Sequence, residues 1–123
     1  MIFESEGLSF ELLDVLYIKQ ERISMFNTGR NFDAISFRIH ADARIKTKAQ
    51  EILLKSGDIC FVPARMDYVR SGETDEMIVI HLNILGSHEK EICSFPPENR
   101  EEMEGLFRRL LAIWEEKQAG YHY

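Results

Sequence analysis

Arg30, Arg38, Arg65 and Arg70 each carry a guanidinium fork that fits a carboxylate or a diol, and Tyr68 sets a hydroxyl on an apolar ring. His81 stands in the run Met77-Ile78-Val79-Ile80-His81-Leu82-Asn83-Ile84-Leu85, where a buried imidazole must find a hydrogen-bond partner. By strand alternation Met77 and Val79 share its face, so a cavity lined by His81 would be lined by them as well. This is the chemistry of recognition rather than of bond breaking. The chain has no G-x-S-x-G elbow, no P-loop, no G-x-G-x-x-G and no H-E-x-x-H. A zinc or iron centre would have to be improvised from His40, Glu51 and His81, without a ligand-spacing motif to support it. Cys60 and Cys93 lie 33 positions apart with no C-x-x-C and read as reduced thiols, buried as apolar filler.

The elements that must position these groups are mostly strands. Val15 to Met25 mixes β-branched, aromatic and polar residues and ends in the turn cluster Asn27-Thr28-Gly29-Arg30-Asn31. Phe32 to His40 sets Ile35, Phe37 and Ile39 against Ser36, Arg38 and His40, which predicts one apolar and one wetter face. Ala43 to Lys48 alternates again, placing Arg44, Lys46 and Lys48 together on a solvated side. Gly57-Asp58 is a tight turn, Ile59 to Val62 a buried strand, and Pro63 a stop, because proline gives no N–H to a ladder. Tyr68-Val69-Arg70 is then a short extended piece before the turn Ser71-Gly72-Glu73-Thr74-Asp75. Met77 to Leu85 is apolar at both parities, as a strand covered on both sides must be.

After Pro96-Pro97 the period changes. Met103, Leu106, Phe107, Leu110, Leu111 and Trp114 line one face of an α-helix, with Glu98, Glu101, Glu102 and Glu104 near its start and Arg108, Arg109 and Lys117 later, the order its dipole favours. Gly120 is placed to end it. Packing on the sheet is the simplest use of the apolar stripe, and a partner subunit is the other.

At 123 residues the chain has the size of one domain, able to bury a core without disulfides. Its 45% hydrophobic and 29% charged residues fit a globular protein that stays in solution, and no segment approaches the roughly 20 apolar residues of a membrane span. Without a signal peptide at Met1 to Glu6, the expected location is cytoplasmic. The net charge of −6 repels a polyanion, which argues against nucleic-acid binding by this polypeptide itself.

The stretch from Gly57 through Pro63 to Tyr68 resembles the second motif of the cupin superfamily, in which a metal-binding histidine stands where this chain has Tyr68. The first cupin motif needs an H-x-H pair, and His40 has no such partner. A neutral phenol is a poor metal ligand, so no metal and no cofactor is expected. Arg30, Gly57-Asp58 to Pro63, Met77 to Asn83, and the tail Trp114-Glu115-Glu116-Lys117-Gln118-Ala119-Gly120-Tyr121 together resemble the N-terminal effector-binding domain of an AraC-type transcriptional regulator.

The resemblance implies an all-β, cupin/jelly-roll-like β-barrel over residues 1–95, followed by a C-terminal amphipathic helix over 96–123 that begins the linker and dimerisation region. It implies a small-molecule effector, often a sugar, a homodimer, and DNA bound only through a C-terminal helix-turn-helix domain absent from this chain. Arg30, Tyr68, Arg70, Met77, Val79 and His81 are the expected ligand-binding residues, and no enzymatic activity is expected. A small cupin enzyme, an isomerase or dioxygenase, and a stand-alone cupin-like binding protein are the alternative readings.

Overall fold

The computed structural model describes residues 2–5, 8–86 and 91–120. Strands β1 (Ile2–Ser5), β2 (Leu8–Asn27), β3 (Asp33–Lys46), β4 (Glu51–Lys55), β5 (Ile59–Val62), β6 (Tyr68–Leu85) and β7 (Cys93–Phe95) precede one helix, α1 (Arg100–Gly120). All pairings are antiparallel. Six strands run in the order β1-β2-β6-β3-β5-β7, and β4 pairs with β3 alongside that path.

The sheet is open, which corrects the expectation of a cupin or jelly-roll barrel. Closure would require the terminal strands β1 and β7 to pair with each other, and they stand at opposite ends of the order. A jelly roll would also break the long segments into strands of two sheets. Here β2 and β6 stay in one ladder from Ser9↔Leu85 to Asn27↔Tyr68. Beyond Glu11, the other edge of β2 has no strand beside it among the described residues.

Two segments that read as turns or breaks lie inside long strands. Ser71 to Asp75 belongs to β6, and the separate strands expected at Phe32–His40 and Ala43–Lys48 are one strand, β3. The irregularity is absorbed as register shifts of β3 against β6 at Arg38/His40 and Asp42/Ala43. Gly72 makes the second one possible. Its φ is +151°, and a Cβ there would lie 2.4 Å from both Ala43 Cα and Asp42 O, so only glycine lets β3 come this close.

The strands bury both faces. Val15, Phe37, Ile59 and Ile78 face α1, where Phe107 is the buried anchor and Met103, Leu111 and Trp114 pack around it. Ala43, Ile45, Leu54, Cys60 and Ile92 form a second cluster. Ile59 and Cys60 are adjacent in β5, so the clusters occupy opposite faces of the sheet. Strand β6 serves both sides, with Ile78 toward the helix and Met77 and Val79 on the other face, all at most 5% exposed.

The helix begins at an asparagine cap. Asn99 Oδ1 accepts the Glu102 N–H at 3.0 Å, which satisfies one of the free N–H groups of the first turn. Only part of the expected stripe is covered. Phe107 is buried, whereas Leu106, Leu110 and Ile113 remain 40 to 55% exposed one helix row away. Neither this helix nor any other described segment is a helix long and apolar enough to cross a membrane.

Candidate functional site

On the face away from α1, alternate residues of β3 and β6 converge on a cavity of about 60 Å³. Ser36 and Arg38 come from β3, Tyr68, Arg70, Met77, Val79 and His81 from β6, Val62 from the end of β5, Asn27 from the end of β2 and Arg30 from the turn after it. Arg30, Tyr68, Arg70, Met77, Val79 and His81, the residues singled out in the sequence, all line this one space.

Behind its wall lies an ionic cluster that the sequence did not reveal. Asp75 is completely buried; its Oδ2 accepts from Arg70 Nη1 at 2.9 Å, and its Oδ1 faces Arg38 Nε at 3.1 Å. Arg38 and Arg70 are 4% and 6% exposed. The Arg38 contact is an ion pair without hydrogen-bond alignment, and both atoms in it lack a hydrogen-bond partner. Arg38 also donates to Ser36 Oγ, and Arg70 donates to Gln20 Oε1. Two buried cations thus share one carboxylate.

His81 is anchored from the neighbouring strand. Asp14, opposite it in the β2–β6 register, places Oδ1 2.7 Å from Nδ1 and so draws the proton to that nitrogen. The Phe32 ring lies 4.5 Å from the imidazole, centroid to centroid. This satisfies the histidine's need for a partner while leaving it on the cavity wall. Arg30 is exposed at the rim, with Nη2 3.4 Å from Asn27 Oδ1 and its guanidinium 5.8 Å from the Phe32 ring centre. Tyr68 is half-buried.

The remaining candidates go elsewhere. Arg65 lines a wider depression of about 470 Å³ with Glu11, Asp33 and Asn83. That depression is larger, but its central carboxylate is committed to structure. Asp33 accepts the backbone N–H groups of Ala64 at 2.8 Å and Ile84 at 3.1 Å, tying the turn after β5 to β6. His40 and Glu51 are exposed while His81 is buried, and among the described residues no three His, Cys, Asp or Glu side chains gather as a metal site would require.

Cys60 lies beneath the cavity, its carbonyl oxygen 3.4 Å from Ser36 Oγ. Burial pushes its thiol up from 9.0 to about 11, with the Arg38 charge pulling the other way. It is a packing thiol, not a nucleophile.

Asn27, Ser36 and Asp75 are the site residues that sequence reasoning missed, and Arg38, a guanidinium candidate in the sequence, is absent from the expected ligand set. Ser36 and Arg38 were visible as the polar parity of a strand, a face easily taken for solvent. Asp75 sat in a run of turn residues. No protein-family model matches this chain, and no curated protein sequence matches it.

Proposed function

We propose that this chain is the small-molecule sensing and self-associating module of an AraC-type transcription regulator, with DNA contacted through a domain outside it. The observation carrying the reading is the inner cavity, where a buried Arg38–Asp75–Arg70 cluster meets Tyr68 and His81. Buried, partly unsatisfied polar groups beside a void are a poor way to stabilise a sheet and a good way to recognise a guest. The guest is bound and released unchanged. Its occupancy favours one arrangement of the sheet over another, and a linked domain reports the difference.

Size limits the guest. A cavity of about 60 Å³ falls well below the ~300–1,000 Å³ of ordinary ligand sites. A sugar enters only if the cavity walls part, whereas a molecule of a few heavy atoms needs much less rearrangement. Self-association is assigned to the exposed row Leu106, Leu110 and Ile113 of α1, whose first member, Leu106, lines an open concavity with the exposed Phe95 of β7. The overall charge of −6 keeps the module itself off nucleic acid.

A thermal-shift screen of small acids and sugars tests the sensing role. A true effector at a hundred times its Kd adds about 2.7 kcal/mol of stability. His81→Ala and Tyr68→Ala should each weaken that response, and an unchanged response in both variants would remove the cavity from consideration.

A further inference from the structure

We propose that the guest of the inner cavity is a small monocarboxylate, held by Arg38, Arg70 and the amide of Asn27. This deepens the sensing role and rests on it. Three observations point to a monoanion. First, Arg30, Arg38 and Arg70 line the cavity and no Asp or Glu does. Asp75 stands behind the two buried guanidiniums, so the surface offered to a guest is cationic although a carboxylate is close by.

Second, the charges of the cluster at the cavity do not cancel. Arg38 and Arg70 contribute two positive charges and Asp75 one negative, a residue of +1 in a cluster at most 6% exposed. Asp33, the other buried carboxylate among the described residues, is of opposite strand parity to Ser36 and Arg38 and is spent on the backbone N–H groups of Ala64 and Ile84. Asp14 lies on the other side of His81 with its side chain 39% exposed, where water screens it. Buried charge is expensive unless paired, and one further carboxylate completes the pairing. A phosphate dianion would overshoot it, and a neutral sugar would leave it unchanged.

Third, a buried donor on the cavity wall lacks an acceptor. Asn27 is 6% exposed and lines the cavity, and its Nδ2 has no hydrogen-bond partner. Its orientation is fixed by chemistry, because Oδ1 faces the donor Arg30 Nη2 and a flipped amide would set donor against donor. Arg38 Nε, by contrast, faces Asp75 Oδ1 at 3.1 Å, so the Asn27 amide is the unsatisfied donor turned to the cavity. A planar carboxylate offers two acceptor oxygens, the match a guanidinium fork prefers.

The test compares sodium acetate, propionate and lactate with sodium phosphate, glucose and sodium chloride at equal ionic strength, reading the melting midpoint and, by calorimetry, the Kd. The expected result is a rise of several degrees with at least one carboxylate, beyond the chloride control and beyond phosphate or glucose. Asn27→Leu is the deciding variant. It removes an unsatisfied donor at similar volume and so should fold, while weakening the carboxylate by about tenfold or more. Arg38→Met is the stronger perturbation, read only if that variant melts cooperatively.

A carboxylate response unchanged in Asn27→Leu overturns the site assignment. Preference for phosphate overturns the monocarboxylate. A response to glucose alone, lost in His81→Ala, overturns the anion while leaving the sensing role intact. No response to any of the compounds overturns both.

Discussion

Asp75 and Arg70 are five residues apart on one strand, yet their side chains meet at 2.9 Å with both buried. On a regular strand residues of opposite parity point to opposite faces. They meet because β6 is irregular against β3 between them, at Gly72. The bend therefore builds the ionic cluster.

Removing Asp75 leaves two buried guanidiniums without their shared counter-charge. Asp75→Ala should cost roughly 3–5 kcal/mol, the usual penalty for breaking a buried pair from one side. Urea unfolding of the variant measures it, and a loss under about 1 kcal/mol would mean that water reaches the arginines.

Gly72→Ala should destabilise by about 1–3 kcal/mol from backbone strain alone, with the close contact to Ala43 adding to that. Gly105→Ala, on an open helix surface with nothing within 4 Å, should instead stabilise by roughly 0.5–1 kcal/mol. Opposite signs at these glycines in thermal unfolding would support the bulge, and matching signs would contradict it.

High pH should unfold the protein partly through Cys60. The folded thiol keeps its proton to about pH 11, while an unfolded thiol releases it near pH 9. Between those values the folded state binds more protons, so stability falls as pH rises, by roughly 2–3 kcal/mol across the window. Hydrogen bonding to Glu76 raises the Tyr17 phenol in the same direction. Cys60→Ala should therefore flatten the decline without abolishing it, and an unaltered slope would remove Cys60 as its source.

The uncovered row of α1 separates packing from association. Phe107→Ala should cost about 3–5 kcal/mol, because it empties the anchor of the helix. Leu110→Glu, at a 40% exposed position, should leave the melting midpoint nearly unchanged while shifting a concentration-dependent dimer to monomer in light scattering. A wild-type protein that is monomeric at high micromolar concentration would end the self-association proposal.

Much of the architecture is legible in local chemistry. Pro63 stops β5 and the 3.6-residue period marks α1, although Gly120, expected as its left-handed cap, is still helical. The double parity of Met77 to Leu85 correctly describes a strand buried on both faces. Strand parity also ties Met77, Val79 and His81 together on the cavity wall. The open sheet is not legible, because whether β1 and β7 meet depends on the curvature of everything between them. The burial of Asp75 against Arg38 is hidden for another reason. Turn residues and polar alternation look alike whether the polar face meets water or a buried counter-charge.

Strand β6 is hydrogen-bonded along both edges, so it cannot yield sideways. Its successive side chains bear on the cavity and on the helix in turn, with Val79 pressed between Ile78 and Ile80 in sequence and Phe107 seated against that outer pair's cluster. In a close-packed interior, pushing Val79 outward levers the whole ribbon against the helix. On the proposed sensing role, a guest that displaces Val79 would be felt first at Ile78 and Ile80, whose cluster seats Phe107 of the 21-residue helix.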